Sequence, residues 1–418
     1  MSGILIRSVQ FDDQVMDLLL DGTTLTRHSG PAPSVAQVID GNGLLAVPGL
    51  VDHHVHFRDP GLTDKEDLLS GARAAAAGGY CAVACEPNTR PVIDTVAAVQ
   101  AFDARVQALG IPILVQTKSA LTLGQRGEEL VDIAALASVV SALSDDGEPL
   151  VNRTVLANAF AQIRAGGYAL EVTAHCEETP RSAAKVRAAL GDGPALSREA
   201  EIIALHLEAL REHPTPLRIQ HVSLAQSVAL IAQAKALHLP VTAEVAPHHL
   251  LLCAEDIPLR HGAPDANWKM NPPLRSRADM LAMRRALADG TIDFIATDHA
   301  PHTPAEKAQA WDEAPFGIIG LETALGACLT LVRQGDISFA RMLDAMTNHH
   351  ALLTATDGQR YSCHGLTLLD VEQQWTVEPA TFYSKSRNCP FAGMTFTGKA
   401  MYTIANGQLV MAEGEVLF

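Results

Sequence analysis

The sequence predicts an α/β protein, a (β/α)8 TIM-like barrel carrying a small β-sandwich formed from both chain ends. Three observations carry that expectation. Between residues 50 and 351, apolar strand-like runs alternate with amphipathic, alanine-rich segments, the pattern of a parallel sheet joined by helices. Eight such runs fit within about 300 residues, a size that suits a barrel. Short strand-like pieces with Gly and Asn turn signals stand on both sides of this region. A doubly wound open sheet would give the same alternation, so the strand count alone leaves that alternative open.

The elements follow in order. Residues 1–49 hold "ILIRSV", "MDLLLDG" and "VAQVIDGNGLLAVPG", read as the first part of the sandwich. The barrel, 50–351, holds the runs "LVDHHVHF", "YCAVACEPN", "IPILVQT", "LASVVSALSDD", "ALEVTAHC", "LRIQHVS", "PVTAEVAPHH" and "DFIATDH". Helical segments such as 64–77, 198–211 and 277–288 separate them. Residues 352–418 return to strands with "GLTLLDV" and "MTFTGKAMYTIANGQLVMAEGEVLF", the second part of the sandwich.

The 418 residues are enough for a large barrel and a smaller domain. Lys and Arg total 31 against 47 Asp and Glu, a formal net charge of -16. That balance argues against a nucleic-acid or anionic-membrane partner. No basic n-region precedes an apolar core at the N-terminus, and no apolar run nears the ~20 residues of a membrane span. The seven cysteines are odd in number and sit mostly in apolar stretches, which fits reduced thiols in a cytoplasm. Cys81 and Cys85 are read as buried strand residues rather than ligands.

Each strand run is apolar until its C-terminal end, where barrels build their sites. In "VDHHVHFRDPG", strand alternation sends His54, His56 and Arg58 to one face. Two imidazoles at that spacing can chelate one ion, and neutral imidazole suits Zn²⁺. Taken alone, two hydrogen-bonded histidines explain the pattern equally well. The other strand ends shift the balance. They offer Asp145, Asp146, His175, His221, Asp298, His299 and His302. Clustered carboxylates and imidazoles without a cation would cost several kcal/mol. His53, His248, His249, His349 and His350 are read as structural or exposed. Arg58 beside a dication needs an anion between them, so it is read as a carboxylate clamp on the substrate. The alternative is an ion pair with Asp59 or Asp64.

These residues resemble the dihydroorotase family of the amidohydrolase superfamily, in its longer bacterial type. The resemblance covers nearly the whole chain. It rests on "GLVDHHVHFRDPG", "GGYCAVACEPNTRPVIDT", "LSDDG", "AHCEE", "QHVS", "VTAEVAPHHLLL", "KMNPPLRS", "GTIDFIATDHAPHT" and "APFGIIGLET". It implies two zinc ions per subunit: His54, His56 and Asp298 on one, His175 and His221 on the other, Asp146 bridging. It implies Asp298 as the proton carrier. Substrate would be held by His56, Arg58, Asn88, Asn271 and His302, with backbone from Phe316 and Gly317. The implied reaction is reversible closure of N-carbamoyl-L-aspartate to L-dihydroorotate in pyrimidine (UMP) synthesis, in the cytoplasm. Homodimers are the commonest closed assembly and are the expected state here. Association with aspartate transcarbamoylase is compatible with the resemblance.

Two rival readings stand beside it. One is a related cyclic-amide hydrolase, of the hydantoinase or allantoinase kind. Those relatives bridge their metals with a carboxylated lysine and lack the arginine that is Arg58 here. The other is a silent scaffold for the transcarbamoylase, though such relatives lose metal ligands that this chain retains. Two departures remain. Glu86 stands where the family usually has methionine, and "GQRYSCHGLTLLD" lacks the usual Ala-Asp-Leu motif.

Overall fold

A computed structural model describes residues 3–418 except 31–33, 35–36, 192–197, 350 and 358–359. All eight expected strand runs contain a strand: β1 (Leu50–Val55), β2 (Tyr80–Cys85), β3 (Leu114–Thr117), β4 (Ala142–Ser144), β5 (Glu171–Ala174), β6 (Leu217–Ile219), β7 (Val241–Val245) and β8 (Phe294–Ile295). They form two parallel arcs, β1-β2-β3 and β4-β5-β6-β7-β8. Single parallel bridges span the two gaps, Ser119 to Leu143 and Val55 to His299. Helices follow the strands because their apolar stripes need a sheet to cover. Leu68–Ala77 shows the local logic. It was expected from Asp64, but the chain turns until Asp67, whose carboxylate accepts from Ser70 N at 2.8 Å while Ser70 Oγ accepts from Asp67 N at 3.1 Å. That reciprocal cap fixes the first turn. Leu143, Val172 and Ile219 are fully buried in the core between strands and helices.

Both chain ends enter one eleven-stranded sheet. Its hydrogen-bonded order is Leu353–Asp357, Arg360–Cys363, Thr24–His28, Gln14–Asp21, Ile4–Phe11, Leu45–Pro48, Gly365–Thr376, Thr395–Ala405, Gln408–Ala412 and Glu415–Val416. Gln37–Asp40 pairs with Ile4–Phe11 off this path. Early and late strands therefore interleave. Ile6, Leu18, Leu20, Leu25, Leu368 and Ile404 form a second buried cluster on it. The sheet rests on the chain leading into β2, where Thr367 Oγ1 donates to Gly79 O and Thr403 Oγ1 to Ala76 O, both at 2.8 Å. All seven cysteines are unpaired and buried, Cys81 and Cys85 within β2. No described helix is long and apolar enough to cross a membrane.

Candidate active site

The strands end where their polar residues begin. β1 stops at Val55, and His56 N donates to His299 O at 2.9 Å. The alternation expected to carry Arg58 onto the face of His54 and His56 therefore ends before it. Arg58 reaches the same cavity by another route, a left-handed backbone with φ of 58°. His221 (φ 33°) and Asp298 (φ 49°) share that unusual conformation. Strain of this kind costs about 1–3 kcal/mol per residue and collects at functional sites.

Six residues from five different strand ends converge: His54, His56, Asp146, His175, His221 and Asp298, each no more than 5% exposed. His56 Nε2 lies 3.0 Å from Asp298 Oδ1, and His54 Nε2 lies 3.4 Å from the same oxygen. His54 Nε2 is 3.3 Å from Asp146 Oδ1, His175 Nδ1 is 3.4 Å from it, and His221 Nε2 is 3.6 Å from it. His175 and His221 approach each other at 2.9 Å. The groups able to hold an ion are His54 with His56 and Asp298, and His54 with Asp146 and His221. His54 Nε2, Asp146 Oδ1 and His221 Nδ1 are buried without a hydrogen bond. Such orphaned donors of N and O type fit Zn²⁺. The charges agree. Burial opposes ionisation of Asp146 and Asp298, yet the surrounding histidines hold both carboxyls well below their ordinary range. Burial likewise opposes a charged His54, but Asp298, Asp146 and Glu86 hold it well above the usual imidazole value.

The other expected residues take distinct places. Asn88 Oδ1 meets His56 Nδ1 at 3.0 Å, and its amide nitrogen donates to Asp146 O and Oδ2 at 3.2 Å, so it braces two members of the cluster. Asn271 Nδ2 lies 3.4 Å from His175 Nε2 and donates to Glu178 O. Arg58 Nε donates to Pro301 O at 3.3 Å. No described carboxylate pairs with it, and Asp59 is taken by Arg105 at 2.6 Å. Burial pushes the Arg58 guanidinium down to about 10, so it stays a cation at neutral pH. Burial and the nearby Arg58 and Lys65 charges keep His302 neutral, far below the ordinary imidazole value. Arg58, Asn88, Asn271, His302 and Phe316 line one cavity of about 340 Å³ with the cluster. A wider cavity of about 820 Å³ adjoins it, sharing Arg58, Asn88 and Asp146. Gly317 sits beside His302 at φ of 155°, where a Cβ would meet Ala300 O at 2.4 Å.

The chain is similar to proteins of known kind along nearly its full length. Residues 43–189 match the family model described as dihydro-orotase-like. The dihydroorotase of Anaeromyxobacter sp. (strain K) is 41% identical, over 92% of this chain and 90% of that one. The chain belongs to the dihydroorotase family. The dihydroorotase of Halalkalibacterium halodurans is 39% identical over 96% of this chain and 94% of its own. With that membership comes the class of metal-dependent cyclic amidohydrolases. Among solved structures, the L-hydantoinase (dihydropyrimidinase) from Arthrobacter aurescens superposes with a TM-score of 0.82 at 24% identity, covering 100% of this chain and 98% of that one. The dihydropyrimidinase from Brevibacillus agri gives 0.82 at 21%, over 99% and 96%. These two share the amidohydrolase fold.

Glu86, which departs from what the resemblance leads one to expect, sends its carboxylate toward His54. It pairs with Lys118, accepts from Gln220 Nε2 at 2.8 Å and lies 3.9 Å from His54 Nε2. Glu244 is a partner that reading the sequence missed. Its Oε1 accepts from His54 Nδ1 at 2.7 Å. Burial would raise this carboxyl, but the His54 hydrogen bond and the Lys118 and Arg218 charges hold it down to about 2. An ionised Glu244 can only accept, which favours a proton on Nδ1, and Nε2 faces the cluster. An acid inside the apolar run "VTAEV" was the available signal. Asp145 is structural, accepting from Leu121 N and Thr122 N. His299 lies outside the cluster, bound to Gly320 N and near Glu66. His53 packs on Phe294, His248 on His249, and His249 bonds Pro272 O. His349 is exposed, and His350 lies outside the described residues.

Proposed function

We propose that the chain catalyses the reversible cyclisation of N-carbamoyl-L-aspartate to L-dihydroorotate with two zinc ions per subunit. The observation that carries this reading is Arg58, a half-buried cation without a carboxylate partner among the described residues, facing the same cavity as the His/Asp cluster. A substrate carboxylate supplies what the guanidinium lacks. His54, His56 and Asp298 would hold one ion, and His175 and His221 the other, with Asp146 between them. Ions held there would lower the pKa of water and draw charge from the ring carbonyl. Asp298 would take the proton of the attacking water and pass it to the ring nitrogen as the C–N bond breaks. In the synthetic direction it takes the proton from the carbamoyl nitrogen and returns it to the departing water. Asn88 would keep His56 and Asp146 in register. Asn271, neutral His302, Phe316 and the Gly317 peptide would contact the substrate. The same reading closes the eight strands into a barrel of residues 50–351, with 1–49 and 352–418 as one appended domain.

The test is dihydroorotate hydrolysis followed by ultraviolet absorbance, with metal content measured on the same sample and hydantoin, dihydrouracil and allantoin run beside it. Zinc-dependent turnover confined to dihydroorotate, with KM raised and kcat near normal in Arg58→Ala, is expected. Turnover of an uncharged ring alone would overturn the clamp.

A further inference from the structure

The loop that carries Phe316 and Gly317 has few regular backbone hydrogen bonds, yet several of its carbonyls point inward. Two buried lysines, each 7% exposed, meet them. Lys269 Nζ donates to Trp311 O at 2.5 Å, Asp312 O at 3.2 Å and Ala314 O at 2.6 Å. Lys307 Nζ donates to Ala266 O at 2.9 Å, Lys269 O at 3.2 Å and Pro315 O at 2.9 Å. As an ammonium, each has three donors and finds three acceptors. The two are linked, because Lys269 O also accepts from Gly317 N at 2.9 Å. Lys269 Nζ lies 4.6 Å from the centre of the Phe316 ring, within cation–π range.

We propose that Lys269 and Lys307 are positioning residues that hold the 311–317 loop so that the Phe316 ring faces the substrate. Converging carbonyls repel one another and are costly to bury unpaired. The two amines remove both costs and leave the loop one arrangement. Phe316 borders the cavity that also holds His56 and Asp298, so a loop free to swing would alter substrate fit without touching the metal cluster. The inference rests on the proposed role of Phe316 as a substrate contact.

The experiment uses the metal-loaded full chain as wild type, Lys307→Met, Lys269→Met and Phe316→Ala. Each is measured for amide hydrogen exchange over 308–318, for zinc content, and for KM and kcat with dihydroorotate. Either lysine variant is expected to speed exchange in this segment at least ~10-fold and raise KM ~10-fold, with zinc content unchanged and kcat within about threefold. Unchanged exchange overturns the proposal, as does faster exchange with an unchanged KM. If Lys307→Met does not fold, Lys269→Met is read alone. If neither folds, the lysines serve the fold at large and the inference falls. Phe316→Ala separates the two readings: an unchanged KM there removes the substrate contact, whatever the lysines do to exchange.

Discussion

Asp298 carries two burdens, a left-handed backbone and a carboxylate shared between two histidines. Asn tolerates that backbone as Asp does, so Asp298→Asn isolates the chemistry. It is expected to lower kcat by about 10²–10⁴, the usual worth of a positioned proton carrier, and a steady-state assay on zinc-matched samples checks it. Arg58→Ala should leave kcat near normal and raise KM roughly 10- to 150-fold, matching about 1.5–3 kcal/mol for a charge-assisted hydrogen bond. An unchanged KM would sink the clamp. The cluster was legible because His-x-His and the polar strand ends stand out against apolar surroundings. The backbone route of Arg58 was not, because alternation describes a strand and β1 has already ended at Val55. Glu244 escaped notice for a related reason. Its importance is the His54 nitrogen behind it, a contact between residues on β7 and β1 that no local pattern encodes.

At the level of the strands, the interior between the two parallel arcs is polar beside the cluster, where barrels usually carry aliphatic layers. Glu86 follows β2, Lys118 follows β3, Thr173 lies on β5 and Gln220 follows β6. They form one hydrogen-bonded group. Removing one charge of a buried pair strands the other, at about 3–5 kcal/mol. Glu86→Met alone should therefore lower stability by about that much. Glu86→Met with Lys118→Met should recover most of it. Urea denaturation of the four members of the cycle reads the result, and equal losses in the single and double variants would exclude the pairing. The strands themselves were read correctly from apolar runs, while their ends were not. Pro87 breaks alternation just past β2, so the direction of the Glu86 side chain could not be inferred from sequence.

Across the molecule, Glu322 ties the chain after β8 to the C-terminal region by accepting from Tyr383 N at 3.0 Å and Ser384 N at 3.1 Å. Burial raises its carboxyl to about 8, from 4.5 in the unfolded chain. Its folded pKa is the higher one, so its contribution is full below about pH 4.5 and fades as pH rises through about 8. Stability relative to Glu322→Gln should fall across that window. Denaturation midpoints at pH 5 and pH 8 for both proteins, at matched metal content, check it; parallel shifts would show that Glu322 does not titrate with folding. The extra sheet was partly legible, since its outer runs alternate, but its order was not. Pairing Leu45–Pro48 with Leu366–Leu369 joins opposite ends of the chain. That order has a consequence for synthesis. A nascent chain makes Leu45–Pro48 early and must wait for Leu366, roughly 15–60 s at about 5–20 residues per second. Until then one edge of that strand lacks its partner on the ribosome, while the intervening strands and helices can already assemble.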